Sequence, residues 1–200
     1  MTLGWWRQLG RVSRTLVASI AIPASLLVGV IVNEGYCNPA CIPAQGDKPT
    51  LGFGNTTHAD GRPVRLGDTT TPVKALQRTL LYLQKADAEM KATLVGVELH
   101  PAEYEVYYDW RYQFGIGAWK GSDMLRHLRA GEYVAACDAL LQYRKMTSAR
   151  KEGAGWVPSR KDAAGNVLRW EFDCSTPGNR VCMGVWTRQL ERHQKCMAVQ

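Results

Sequence analysis

The chain has 200 residues, 46% of them apolar and 22% charged, which fits one modest compact domain and excludes both a disordered chain and a long multidomain one. Lys and Arg number 25 against 18 acids, a formal net charge of +7, and Arg7, Arg11 and Arg14 precede the first apolar run. The remaining surplus of about +4 suits an anionic partner such as a cell envelope. It is too small and too dispersed for nucleic acid, which is not expected as a partner.

No charge occurs between Thr15 and Asn33. At about 1.5 Å rise per residue a helix over that run spans roughly 28 Å, close to a bilayer hydrocarbon core, so residues 15–33 are expected to form a membrane-spanning signal-anchor helix. Thr15, Ala18, Ser19, Ala21, Pro23, Ala24, Ser25 and Gly29 contribute little to insertion, which is therefore only marginally favourable. The preceding arginines place the amino terminus in the cytoplasm and send residue 34 onward across the membrane. A cleaved signal peptide is the competing reading, but the run ends Val30-Ile31-Val32-Asn33 with no small-x-small cleavage site.

All six cysteines (Cys37, Cys41, Cys137, Cys174, Cys182 and Cys196) lie beyond that run, in keeping with an oxidising compartment. Six allow fifteen full pairings, and the residues alone do not choose among them. The cysteine spacings are not those of a zinc site and His58, His100, His127 and His193 are scattered, so no metal is expected.

Along the exported body, Thr50–Gly54 and Val64–Leu66 read as short strands around the turn formers Asp60 and Gly61. Thr71 caps a helix with Pro72 at its first position, and Val73, Leu76, Leu80 and Leu83 recur at helical spacing as its core face. Pro101 opens a second helix whose Tyr104, Tyr107, Tyr108, Trp110 and Tyr112 fall largely on one stripe, read as core in preference to a sugar platform. Ser122 caps a third, with Met124, Leu125 and Leu128 apolar. A fourth near Glu132–Tyr143 brings Cys137 and Leu141 inward, and a last covers about 184–196. Between these, residues 146–181 change composition, with Gly153, Gly155 and Pro158 punctuating two short runs that hold Trp156, Val157, Val167, Trp170 and Phe172. They read as a hairpin insertion. Its cations Arg150, Lys151, Arg160 and Lys161 either face the envelope or decorate a solvated loop.

Directly after the apolar run come Asn33, Glu34 and Gly35, then Gly46-Asp47-Lys48-Pro49-Thr50-Leu51-Gly52-Phe53-Gly54. Glu34-Gly35 followed by Thr50-x-Gly52-x-Gly54 resembles the catalytic region of the phage-type lysozyme (endolysin) family, in which a helix-borne Glu faces a β-hairpin carrying an Asp and a Thr. Gln113 to Trp119 resembles that family's mid-domain helix junction, and Gly184 to Arg188 with Glu191 its carboxy-terminal pattern. The marginal anchor abutting Glu34 resembles the signal-anchor-release subgroup, which crosses the inner membrane by the host export machinery and stays tethered until release.

The resemblance implies an α+β, lysozyme-like fold, mainly helical with a small β-hairpin lobe, preceded by the anchor: residues 1–33 as signal anchor and 34–200 as catalytic domain. It implies a muramidase that cuts the β-1,4 bond between N-acetylmuramic acid and N-acetylglucosamine in peptidoglycan, lysing the host without a cofactor. The protein is then expected to be a monomer, held at the host inner membrane through residues 15–33 and later freed into the periplasm. Glycoside hydrolysis needs a protonated acid at the leaving oxygen and a carboxylate or held water on the reacting face. Glu34 is the candidate acid, kept protonated by partial burial. Asp47, the only other carboxylate before Asp60, takes the stabilising or water-activating role, and Thr50 orients the water. Gly52, Phe53, Gly54 and Gln113, within the resembling motifs, are the candidate substrate contacts. The resemblance also pairs Cys137 with Cys196, Cys174 with Cys182, and Cys37 with Cys41.

The usual family pattern has its Asp nine residues after the Glu and its Thr fifteen after it. Here those places are Pro43 and Pro49, so the loop is one residue longer and the carboxylate lies nearer the strand. Gly-Asp-Lys-Pro is also good turn chemistry. Two other readings follow: a lytic transglycosylase, which needs one Glu and lets the sugar's own hydroxyl attack, and a non-catalytic membrane-tethered protein that binds the wall.

Overall fold

A computed structural model describes residues 13–44 and 46–200; Arg7 and Arg11 of the amino-terminal cation cluster lie outside them. The described residues gather into two compact units, Arg14–Gly117 and Ala118–Gln200, with Ser13 counted in the latter.

In the first unit the uncharged run does not form the single continuous helix expected. Thr15–Leu16 (β1) pairs antiparallel with Glu98–Leu99 (β4), Val17–Ser19 makes one 3₁₀ turn, and only Ala24–Glu34 (α1) is α-helical. The break falls where the chemistry demands it. Pro23 has no N–H to donate and stands at the N-cap of α1 rather than inside a helix. The Val17 N–H donates to Val97 O (3.0 Å) and the Ile20 carbonyl accepts from Lys91 Nζ (2.6 Å). Val17, Ile20, Leu26 and Val30 are buried, and Arg14 pairs with the fully buried Glu103 at 3.1 Å. Among the described residues no helix is long and apolar enough to cross a membrane.

Cys37–Cys41 (β2), a strand not anticipated, pairs with Thr50–Gly52 (β3). Val64–Leu66 is not a strand. Pro63 has no donor, and the segment's cross-chain pairing is the bridge Thr57↔Pro63 and a bond from Val64 N–H to Thr56 O (2.9 Å), while Arg65 turns onto Asp68 instead.

Pro72–Lys91 (α2) starts as expected, with Thr71 accepting from Lys74 N–H. Its buried face is Ala75, Thr79, Leu83, Ala86, Asp87 and Met90; Val73 (64%), Leu76 and Leu80 (both 38%) are exposed, and only Leu83 of the expected stripe is core. The tyrosines of Pro101–Lys120 (α3) select this face, because a buried phenol needs a polar partner. Tyr104 donates to Asp87 Oδ1 (2.5 Å) and Tyr108 to Leu83 O (2.7 Å). Tyr104, Tyr107, Tyr108 and Trp110 are fully buried, as the stripe predicts. Gly115, at φ 85°, interrupts α3 in a conformation that disfavours any residue with a Cβ.

In the second unit Ser122 caps Asp123–Arg129 (α4) by accepting from Leu125 N–H, and Met124, Leu125 and Leu128 are buried. Tyr133–Ala139 (α5) runs into a 3₁₀ turn in which Leu140, not Leu141, is buried. The insertion is a three-stranded antiparallel sheet rather than a hairpin. Lys145–Ser148 (β5) and Val157–Lys161 (β6) flank the central Val167–Asp173 (β7). Trp156 and Phe172 pack with Cys174 and Cys182 at one end, joined by Trp170, Val185 and Trp186. Met183–Met197 (α6) closes the chain. Disulfides join Cys37 to Cys41, Cys137 to Cys196 and Cys174 to Cys182, the same pairs that the resemblance implies.

Candidate active site

Glu34 is the last residue of α1, and Gly35 at φ 68° ends the helix and turns the chain into β2. The β2–β3 pair then folds back. Cys37 lies opposite Gly52 and Cys41 opposite Thr50, with an irregularity between, and a tight turn follows in which Leu51 and Asn55 exchange backbone bonds of 2.9 and 3.3 Å.

The two glycines of this turn both have positive φ (Gly52 64°, Gly54 72°), but their missing side chains serve different neighbours. A Cβ on Gly52 would lie 2.6 Å from Ala75 Cβ, so Gly52 lets β3 approach α2. A Cβ on Gly54 would collide with Glu34, lying 3.0 Å from Cδ and 3.2 Å from Cγ and closer still to Oε2. The Glu34 carboxyl therefore lies on bare hairpin backbone.

On another side Tyr112 donates its hydroxyl to Glu34 Oε1 at 3.4 Å and meets Tyr82 edge-on at 6.0 Å. Burial, and then the negative charge of Glu34, push the Tyr112 phenol above its usual range, so it stays protonated and remains a donor. Glu34 is nonetheless exposed, not partly buried as the sequence suggests, because a helix's last residue is covered only where the hairpin and Tyr112 reach it.

Thr50 is buried, its hydroxyl 3.7 Å from Cys37 Sγ and 3.4 Å from the Cys41 carbonyl. Phe53 is half-buried and packs on Tyr36 at a ring distance of 5.2 Å. Asp47 is exposed on the loop between β2 and β3, where its N–H donates to Ala44 O (3.0 Å). Gln113 is exposed beside Tyr112 in the sequence. The structure thus brings Glu34 to Gly54 and Thr50 to the Cys37–Cys41 bridge, while the Asp47 carboxylate takes no hydrogen-bond or ion-pair partner among the described residues.

Tyr112 is the site residue that sequence reasoning missed. The signal was there: Tyr104, Tyr108 and Tyr112 recur every four residues on one helical face, and the last lies where α3 approaches its break. What the pattern does not reveal is that this stripe runs out of the core and ends on Glu34.

A family model described as phage lysozyme matches residues 33–189. The endolysin of Salmonella phage P22 is 34% identical over 97 residues, 48% of this chain and 66% of that protein, so the chain spans just under two thirds of this relative's length. Among solved structures, the endolysin from Escherichia coli O157:H7 phage FAHEc1 superposes with a TM-score of 0.62 at 20% identity, covering 90% of this chain and 94% of that one. A P22 lysozyme variant superposes at 0.56 and 22% identity, covering 88% and 97%. Both share the lysozyme-like fold.

Proposed function

Because the chain belongs to the phage lysozyme family, we propose that it is an endolysin with muramidase activity, hydrolysing the β-1,4 bond between N-acetylmuramic acid and N-acetylglucosamine in peptidoglycan to lyse the host cell. One observation carries this reading: the Glu34 carboxyl lies against Gly54 of the β2–β3 hairpin, with a protonated phenol at its other oxygen. In the proposed mechanism Glu34 gives its proton to the bridging oxygen as the sugar takes on oxocarbenium character. A glycan lying over the hairpin completes the cover that the exposed carboxyl otherwise lacks, removing water from the proton transfer. Asp47 stabilises the developing cation or activates the water, and Thr50 orients that water. Gly54 and Phe53 would present hairpin backbone and an aromatic face to the sugar, with Gln113 as a further contact. The bare backbone at Gly52 belongs to Ala75, which leaves Gly52 a packing role.

Mass spectrometry of digested, purified wall tests the reaction. Muramidase action yields reducing ends, whereas anhydro-ended products would replace it with the transglycosylase reading. Asp47→Asn separates the two further, because hydrolysis is expected to fall sharply and a single-Glu transglycosylase would be indifferent. Tyr112→Phe removes the hydrogen bond that would stabilise the carboxylate forming on Glu34 as its proton leaves, and is expected to lower wall-lysis rates about tenfold, read by turbidity.

The apolar run is proposed to hold the unreleased protein in the host inner membrane, amino terminus in the cytoplasm, after passage through the host export machinery. Escape of the weak helix would free the enzyme into the periplasm. Supporting this are the uncharged stretch, its small residues and the arginines before it. In the folded chain Ser25 donates to Glu105 Oε1 (2.7 Å) and a Cβ on Gly29 would meet nothing within 4 Å. Replacing both with Leu strengthens the membrane state; in the folded chain it removes the Ser25–Glu105 hydrogen bond, while the added Cβ at position 29 meets open space. Lysis after expression is expected to be delayed and the protein retained in the membrane fraction; wild-type release kinetics would rule out escape of a weak helix.

A further inference from the structure

The charge of this protein is not spread evenly. Residues 144–181 hold eight Lys and Arg against four acids, while 15–143 and 182–200 together hold fourteen against fourteen. Apart from the three amino-terminal arginines, the whole surplus is therefore on the segment that forms the β5–β7–β6 sheet.

Every acid of the segment is already engaged. Glu171 pairs with Lys145 at 2.6 Å and Asp173 with Arg144 at 3.3 Å. Asp162 accepts from the N–H groups of Ala164 and Asn166 and from Asn166 Nδ2 within its own turn, and Glu152 accepts from Ser148. Arg160 and Arg169 stand directly opposite each other on β6 and β7, with Lys161 next along β6 opposite Val167. All three cations are exposed, and among the described residues none has an acidic partner. Like charges in direct cross-strand register disfavour the sheet unless an anion lies between them. Val157, also exposed at 52%, lies opposite Glu171 on the same face.

We propose that this face of the sheet is a phosphate-binding surface that seats the protein on an anionic phospholipid bilayer. A carboxylate is saturated by one guanidinium, whereas two facing guanidiniums and an adjacent ammonium suit the dense phosphates of a lipid surface. The exposed Val157 beside them suits the apolar layer beneath those phosphates. This does not depend on the muramidase reading.

The test is co-sedimentation of the full-length protein with vesicles of phosphatidylcholine alone or mixed with phosphatidylglycerol. It compares wild type, Arg160→Gln/Arg169→Gln, and the charge-matched control Lys74→Gln/Lys85→Gln, whose positions are exposed on α2. A near-surface cation is worth on the order of fivefold in partitioning. The arginine variant is therefore expected to bind phosphatidylglycerol vesicles roughly thirtyfold more weakly, while the control binds like wild type and added salt releases both. Equal binding by the arginine variant and wild type overturns the proposal. So does an equal loss in the control, which would make net charge the whole cause. A loss seen on purified wall but not on vesicles reassigns the face to peptidoglycan, and inorganic phosphate displacing the protein as well as vesicles do reassigns it to free phosphate; both refute the lipid surface.

Discussion

Glu34→Gln is expected to remove at least two orders of magnitude of wall-lysing activity while the protein folds as before. A positioned general acid contributes roughly 10²–10⁴-fold to a rate, and an amide of the same shape has no proton of comparable acidity to give. The substitution should leave the structure alone, because Glu34 is exposed and its side-chain hydrogen bond is a 3.4 Å contact from Tyr112. Turbidity loss of purified wall measures the first half of this expectation and the thermal unfolding midpoint the second. Lysis of cells expressing the Glu34→Gln protein at the wild-type rate, with purified wall left intact by both proteins, would point to the non-catalytic, wall-binding reading.

Gly54→Ala is expected to cost about a hundredfold in activity, by a different route. The new methyl would occupy the space of the Glu34 carboxyl, and that flexible side-chain end gives way more readily than backbone. A displacement on the order of 1 Å in a catalytic group is enough for such a loss. The left-handed φ of 72° adds about 1–2 kcal/mol of destabilisation for any residue with a Cβ. Gly52→Ala is the instructive contrast. Its methyl would meet Ala75 Cβ at 2.6 Å and Ala75 Cα at 3.4 Å, so it presses on the buried face of α2 and should lower the unfolding midpoint before it touches the chemistry. Activity per folded molecule separates the two glycines: strongly reduced at position 54, largely kept at position 52.

Those glycines also show what could be read from the residues and what could not. The order Glu34, Thr50, Gly52, Gly54 indicates a helix end facing a hairpin through its resemblance to the phage-type lysozyme pattern, while the residues by themselves indicate only a short strand at Thr50. The division of labour between Gly52 and Gly54 was not legible, since it depends on which neighbour, Ala75 or Glu34, occupies each missing side chain. The caps of α2 and α4 were legible because capping is local: Thr71 and Ser122 each bond an N–H three residues on. The core face of α2 was misread because apolar periodicity favoured Val73, Leu76 and Leu80. The polar ends of Tyr104 and Tyr108 instead required the face carrying Asp87 and the Leu83 carbonyl. The run from Thr15 to Asn33 was legible as apolar, but hydropathy alone does not distinguish a span from a segment that donates four side chains to a protein interior. Pro23 and the partners of Val17 and Ile20 settle its folded form.

Burial of this run has a thermodynamic consequence. Val17, Ile20, Leu26 and Val30 are covered in the folded chain, and the same residues partition readily into any hydrocarbon phase. A micelle or bilayer that takes up the stretch acts as a ligand for the partly unfolded chain, so mass action opposes folding in proportion to the free amphiphile. The melting temperature of this protein is then not a constant of the sequence alone, but a function of how much competing oil its surroundings contain.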